Sequence, residues 1–330
     1  MEHRRLGSTD IDVSVITFGA WAIGGWMWGG QEEKDAIAAI HAALDHGVTS
    51  IDTAAVYGFG DSERLVRKAV GKRRHEVRIF TKFGLRWDRD EGEVRFETFD
   101  NDGRPVKVRR NARPDSVIEE CDNSLRRLGT DYIDLFQIHW PDPQTPVEET
   151  MAALDRLLQA GKILAAGVSN YSVEDLDRAR RTCPIASSQP PYSMVLRGAE
   201  KDMLPYCREH TIGVVVYSPL QRGLLTGKVT ADREFPEDDH RRTNPLFSVE
   251  NRRRVNAFLD EIRPVAEAHD VTLAQLAINW TIHRPGITAA LVGSRNARQA
   301  AENAQAASFK LRPDETAFIN ERLERLELLP

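Results

Sequence analysis

The sequence predicts an α/β fold: a closed (β/α)8 TIM barrel with an N-terminal β-hairpin and long βα loops, with residues 1–330 forming a single domain. Three observations carry this. Short β-rich runs alternate with amphipathic helical patterns eight times, which implies a parallel sheet with helical crossovers. No break in composition divides the 330 residues into halves. No G-x-G-x-x-G marks a dinucleotide-binding half, because Gly58-Phe59-Gly60 begins like one but meets Glu63 where the third glycine belongs.

Taken in order, residues 5–13, with Gly7-Ser8 inside, suit a hairpin that plugs the N-terminal mouth of the barrel. Strand candidates follow at residues 15–18, 50–53, 77–82, 133–139, 164–168, 185–189, 213–217 and 289–292. Helical patterns lie between them. Residues 31–44 and 62–70 form the first two. Pro114 opens the next, with Val117, Cys121, Leu125 and Leu128 on one face and Gly129 as its stop. Thr145 and Glu148 have capping-box spacing, Pro146 stands at the first helical position, and Val147, Met151, Leu154 and Leu158 share a face up to Gly161. Ser172 with Asp175 caps another helix. Residues 201–210, 250–268, 273–280 and 297–306 complete the set. Two connections, 84–113 and 221–249, exceed ordinary loop length, and long βα loops in a compact domain usually bind or cover something.

Composition narrows the function. Hydrophobic residues make up 41% and charged residues 29%, which are globular proportions. With 45 Lys+Arg against 50 Asp+Glu the net charge is −5, which argues against a nucleic-acid partner. The triplet Arg252-Arg253-Arg254 reads as a solvated helix face. Three scattered cysteines, Cys121, Cys183 and Cys207, fit a reducing compartment and exclude a disulfide scaffold or a cysteine-rich zinc site. Residues 13–31 carry no charge, but Glu2, Asp10 and Asp12 spoil a basic leader, and five glycines disfavour a spanning helix. This stretch reads as a strand followed by a Gly-Trp loop. The expected location is cytoplasmic, with no membrane association.

In such barrels the chemistry sits at the C-terminal ends of the strands. Asp52 ends the second strand, Tyr57 follows in its loop, Lys82 ends the third and His139 ends the fourth. Each alone has an ordinary structural reading, but together they place four ionisable groups on one rim. A tyrosine is a poor acid or base at neutral pH, and a neighbouring ammonium lowers its pKa by roughly one to three units. Asp52 would keep the lysine charged, and His139 would hydrogen-bond a carbonyl oxygen. Such a set can protonate a forming alkoxide or deprotonate an alcohol. A hydrolase reading fails, because Gly167-Val168-Ser169 is followed by Tyr171 where a nucleophile elbow needs glycine. A metal site is not expected, since only His139 qualifies among strand-end ligands.

The runs His46-Gly47-Val48-Thr49-Ser50-Ile51-Asp52-Thr53-Ala54-Ala55-Val56-Tyr57-Gly58, Thr81-Lys82, Gln137-Ile138-His139-Trp140, Gly167-Val168-Ser169-Asn170 and Tyr217-Ser218-Pro219-Leu220 resemble the aldo-keto reductase superfamily. The resemblance runs from about Arg5 to about Leu326. Trp140-Pro141-Asp142-Pro143, Gln189-Pro190-Pro191-Tyr192 and Gly223-Leu224-Leu225-Thr226-Gly227-Lys228 look most like its bacterial branch of general-stress and inositol-cluster reductases. It implies an oxidoreductase that passes a hydride between a nicotinamide and an aldehyde, ketone, alcohol or sugar. Tyr57 would be the general acid/base, Lys82 and Asp52 its tuning pair, and His139 the group orienting the carbonyl.

The resemblance also implies cofactor contacts, with NADP(H) favoured and NAD(H) as the alternative. Ser169, Asn170 and Gln189 would hold the carboxamide, with the Tyr217 ring against the nicotinamide. Gly19, Ala20 and Trp21, beside Asp52, would line the ribose and ring. Ser218, Leu220, Gly223 and Lys228 would meet the pyrophosphate, with Arg241 in the same loop. Gly293, Ser294, Arg295, Gln299, Glu302 and Asn303 would meet the adenosine end. Gly293 and Gln299 stand where other members carry lysine and arginine, which leaves Arg295 to read a 2'-phosphate. Trp21, Phe59, Trp87, Trp140 and Tyr192 would form an aromatic substrate pocket, while Trp26, Trp28 and Trp280 read as packing. The partner is a small-molecule carbonyl or alcohol, and the chain would act as a monomer or small homo-oligomer. The alternative is a non-catalytic redox-sensing or regulatory subunit built on the same barrel.

Overall fold

The computed structural model describes residues 1–25, 31–236, 239 and 241–329. Trp26 and Trp28 lie outside them. Eight parallel strands close a barrel: Ile16–Gly19, Ser50–Asp52, Arg78–Phe83, Leu135–Ile138, Ala166–Ser169, Ile185–Gln189, Gly213–Val216 and Ala289–Gly293. Each pairs with its neighbours in chain order, and the eighth closes on the first through Leu291 opposite Thr17 and Gly293 opposite Gly19. Being covered on both faces, the strands are near-continuous apolar runs, which made all eight legible.

The N-terminal hairpin pairs His3–Arg5 with Asp12–Ser14. Its Leu6, Ile11 and Val13 pack with Phe80, Leu135, Ala186 and Val215. A Cβ on Gly7, at φ +58°, would stand 2.5 Å from the Ala186 carbonyl oxygen, so the turn lies hard against the starts of strands six and seven.

Helices surround the barrel. Pro114–Leu128 ends at left-handed Gly129, whose N–H donates to the Leu125 carbonyl. Ser172 caps Val173–Thr182 by accepting from the Asp175 N–H at 3.0 Å. The Thr145 capping box does not form: the helix is Val147–Gln159 with Pro146 at its cap, and the Thr145 hydroxyl donates instead to Asp142 at 2.7 Å. Arg252 corrects the reading of the basic triplet. It is buried on helix Val249–Ala268 and donates to the carbonyls of Thr230 and Arg233, pinning the seventh loop, while Arg254 pairs with Glu250.

Two elements go beyond the expected set. Helix Pro313–Arg325 packs on Val249–Ala268 near the C-terminus. The long connection after strand three is built rather than irregular: Glu93–Phe99 pairs antiparallel with Pro105–Arg110, which also pairs with Leu85–Arg86. No helix among the described residues is long and apolar enough to cross a membrane.

Candidate active site

Asp52, Lys82 and His139 are delivered to one rim because strands two, three and four are neighbours with Asp52 opposite Phe80 and Lys82 opposite Gln137. His139 follows strand four directly, its N–H donating to the Phe83 carbonyl at 2.9 Å. Tyr57 sits in a loop of consecutive turns whose shape is enforced locally. A Cβ on Gly58, at φ +59°, would fall 2.4 Å from the Gly24 carbonyl oxygen, so only glycine fits beside Tyr57. The Ser62 hydroxyl donates to the Ala20 carbonyl at 2.9 Å and meets the Thr53 hydroxyl at 2.8 Å. Buried Glu63 accepts from Thr81 at 2.6 Å and Arg127 at 2.5 Å, tying the same helix to the strand that carries Lys82. The sequence does not mark Ser62 or Glu63 as site residues; Glu63 reads there only as the break in a glycine motif. Their place in the first turn of helix Asp61–Val70, just after Tyr57, is the available signal.

The Lys82 ammonium is buried and fully engaged. It pairs with Asp52, donates to the Thr53 carbonyl at 2.9 Å, and lies 3.4 Å from the Tyr57 hydroxyl. The second Asp52 oxygen accepts from the Gln189 amide at 2.9 Å and from Gln137 at 3.4 Å. The His139 ring stands edge-on to Tyr57, with centroids 5.6 Å apart.

Electrostatics follow from this packing. Burial pushes the Tyr57 phenol above its ordinary pKa of about 10; Lys82 pulls it back down and Asp52 adds to the rise, and the net direction is upward. That reverses the expected lowering, because desolvation outweighs the ammonium. Burial opposes the charge on Lys82, but Asp52 and Tyr57 outweigh it and hold its pKa above the usual lysine value. Burial and then Lys82 drive His139 well below 6.5, so its imidazole is neutral at physiological pH. The site therefore presents a protonated phenol, a fixed ammonium and a neutral imidazole. Such a set can donate a proton to an oxygen that gains charge.

The aromatic rim is assembled with one exception. Trp21 lies 6.2 Å from Tyr57 between centroids, Phe59 and Trp87 meet edge-to-face at 5.6 Å, and Trp140 joins the same apolar cluster. Tyr192 does not. It is buried in the outer core, stacked on Trp280 at 6.0 Å, and its hydroxyl bonds Glu200. Its position after strand six gave its place on the chain but not the side to which its ring turns. Trp280 is packing, as expected, with its indole N–H donating to Asn320 at 3.0 Å.

The positions expected to hold a cofactor line a continuous rim from strands five to eight and on to strand one. Tyr217 donates to Asn170 at 2.8 Å, and Asn170 donates to the His139 carbonyl at 2.9 Å and to Ser169 at 3.1 Å. Gln189, by contrast, directs its amide N–H to Asp52. Ala20 N–H donates to the Asp52 carbonyl, which sets Gly19, Ala20 and Trp21 beside the tetrad. Ser218, Gln221 and Arg222 all take positive φ, at 60°, 45° and 53°, so the loop with Leu220 and Gly223 is a strained cradle. Arg222, not singled out from the sequence, is half-buried there. Burial lowers its pKa, its side chain makes no hydrogen bond among the described residues, and it lies 5.8 Å from the Trp21 ring. Arg241 forks onto Asp239 and donates to the Arg222 carbonyl, while Lys228 is exposed. After strand eight, Asn303 donates to Ser294, Gln299 accepts from the Arg295 N–H, and Arg295 and Gln31 exchange hydrogen bonds at 3.1 and 2.9 Å. Glu302, on helix Ala297–Gln305, has its carbonyl bonded by Gln275 and faces Arg298. A dinucleotide pyrophosphate fits the chemistry of this cradle, where half-buried Arg222 makes no side-chain hydrogen bond among the described residues. No group of three or more His, Cys, Asp or Glu side chains among the described residues could hold a metal ion.

The chain belongs to the aldo/keto reductase family, whose pattern it matches over residues 15–324. It is 39% identical to aldo-keto reductase YhdN of Bacillus subtilis (strain 168) over 98% of this chain and 94% of that protein. It is 35% identical to the NADH-specific methylglyoxal reductase of Escherichia coli (strain K12), over 99% of this chain and the whole of that protein. The structure of the glycerol dehydrogenase AKR11B4 from Gluconobacter oxydans superposes with a TM-score of 0.89 at 39% identity, covering 99% of this chain and 97% of that one. The protein is thus a nicotinamide-dependent oxidoreductase that interconverts carbonyls and alcohols, and nothing in the site favours a non-catalytic role.

Proposed function

We propose that the protein reduces small aldehydes, and oxidises the corresponding alcohols or sugars, with Tyr57 as general acid/base and NADP(H) as preferred cofactor. The observation that carries this is the buried Lys82 ammonium held between Asp52 and the Tyr57 hydroxyl. In reduction, the neutral His139 imidazole donates to the substrate carbonyl oxygen and aims it at Tyr57. Ser169, Asn170 and the Tyr217 ring would hold a nicotinamide, which would supply the hydride. Tyr57 passes its phenolic proton to the oxygen, and Lys82 stabilises the phenolate left behind. In oxidation the same phenolate takes the alcohol proton. The methylglyoxal and glycerol of the two relatives' names support a compact, oxygen-rich substrate of about three carbons. The whole chain would act as one barrel unit, in the cytoplasm.

Arg222, Gly223, Lys228 and Ser218 would hold the pyrophosphate, and Arg295 the 2'-phosphate. A planar guanidinium can give two parallel hydrogen bonds to phosphate oxygens. Arg295 also precedes the N-terminus of helix Ala297–Gln305, which favours an anion. The NADH-specific name of one relative makes this preference the point to test. Arg295→Ala should weaken NADPH binding by about ten- to a hundredfold and leave NADH within about twofold, on a loss of roughly 1.5–3 kcal/mol for charged hydrogen bonds. Paired fluorescence titrations measure it. Equal losses for both cofactors would assign Arg295 to support of the loop through Gln31.

A further inference from the structure

The hairpin in the connection after strand three is tied down at its base, its tip and its far flank. At its base, buried Arg86 donates to Asp88 at 2.7 and 3.0 Å, to Ser116 at 3.0 Å and to Glu119 at 3.3 Å, fixing it to helix Pro114–Leu128. At its tip, the Asn101 amide donates to Asp61 at 2.8 Å and to the carbonyl of Gly58, the residue after Tyr57, at 3.4 Å. On the far side, Arg110 donates to the Pro141 carbonyl at 3.4 Å and the Arg95 guanidinium lies 4.7 Å from the Trp140 ring. It therefore spans from the loop of Tyr57 to the loop that follows His139.

The hairpin's two faces differ. Phe96, Thr98 and Asp100 are half-buried while Arg95, Glu97 and Phe99 are exposed, the alternation of a strand with one covered face. Phe96 stands directly opposite Val108 across the hairpin, and both join the apolar cluster that holds Tyr57, Trp21 and Trp87. Glu97 and Lys107 pair on the exposed face, while Glu93 pairs with half-buried Arg110 at the base.

We propose that this hairpin is a fixed roof over the substrate end of the site, and that Phe96 sets the bulk of the carbonyl substrate admitted beside Tyr57. The inference rests on Tyr57 being the reacting group. A ring that shares a pocket wall with Trp21, Phe59 and Trp87 discriminates by size, and a single methylene in such a wall already changes selectivity by about tenfold or more.

The test is the ratio of kcat/KM for 2-naphthaldehyde to that for propanal, measured with saturating NADPH or NADH on wild type, Phe96→Ala and Phe96→Trp. Phe96→Ala should raise the ratio at least about tenfold and Phe96→Trp should lower it, with cofactor affinity unchanged in both. A ratio that both variants leave within twofold of wild type, or that moves the same way in both, would overturn the proposal. Tyr57→Phe, run in parallel, separates the two claims. It should depress both aldehydes alike. If it keeps wild-type turnover, the chemical reading fails and the roof falls with it. If it is inactive while the Phe96 ratio stays put, the roof alone is wrong.

Discussion

Tyr57→Phe should lower kcat for aldehyde reduction by at least about a hundredfold, the low end of what a positioned acid contributes. The phenol lies 3.4 Å from the Lys82 ammonium, and the lowered pKa of His139 leaves it without the proton of an imidazolium to give. Phenylalanine keeps the ring that packs edge-on to His139 and beside Trp21. Cofactor affinity should therefore hold, and a fluorescence titration alongside steady-state kinetics separates the two effects. Near-wild-type turnover would remove Tyr57 from the chemistry.

Lys82→Met should move the pH dependence upward in both directions of reaction. In the wild type, burial raises the Tyr57 pKa and Lys82 pulls it back. Without the ammonium the pull is gone and Asp52 repels the phenolate unopposed, so the pKa rises further. Reduction needs the phenol and is lost as pH rises through that pKa, so its alkaline limb shifts to higher pH. Oxidation needs the phenolate and is lost as pH falls through the same pKa, so at neutral pH it should drop by at least about tenfold. The same change leaves Asp52 buried with only the amides of Gln137 and Gln189, and breaking a buried pair on one side costs about 3–5 kcal/mol. The double variant Asp52→Asn/Lys82→Met removes both charges and should regain most of that stability without regaining the pH profile. Limbs that stay where they were in Lys82→Met would make the lysine purely structural.

The barrel and the tetrad were legible because both are written in local terms. Strands covered on both faces read as apolar runs, and strand ends place Asp52, Lys82 and His139 by counting. What was not legible depends on direction and on solvent. The charges of 84–113 masked a two-residue alternation, and that alternation, Arg95-Phe96-Glu97-Thr98, was the signal of the hairpin. Tyr192 has the right address, but its ring turns outward to Trp280 and Glu200. Arg252 sits in a basic triplet, yet its guanidinium is spent on two loop carbonyls. The direction of the Tyr57 shift turns on a competition between burial and one ammonium, and burial is set by Trp21, Phe59 and a hairpin distant in sequence.

The most direct measurement uses NADPH, and separately NADH, carrying deuterium at both C4 positions of the nicotinamide, with 4-nitrobenzaldehyde as acceptor. The wild-type protein should yield 4-nitrobenzyl alcohol with one deuterium on the carbinol carbon, read by mass spectrometry, and Tyr57→Phe should yield at most about a hundredth as much in the same time. Product bearing hydrogen from solvent at that carbon, or no turnover of either cofactor with this aldehyde, methylglyoxal and glyceraldehyde, would contradict hydride transfer at this site.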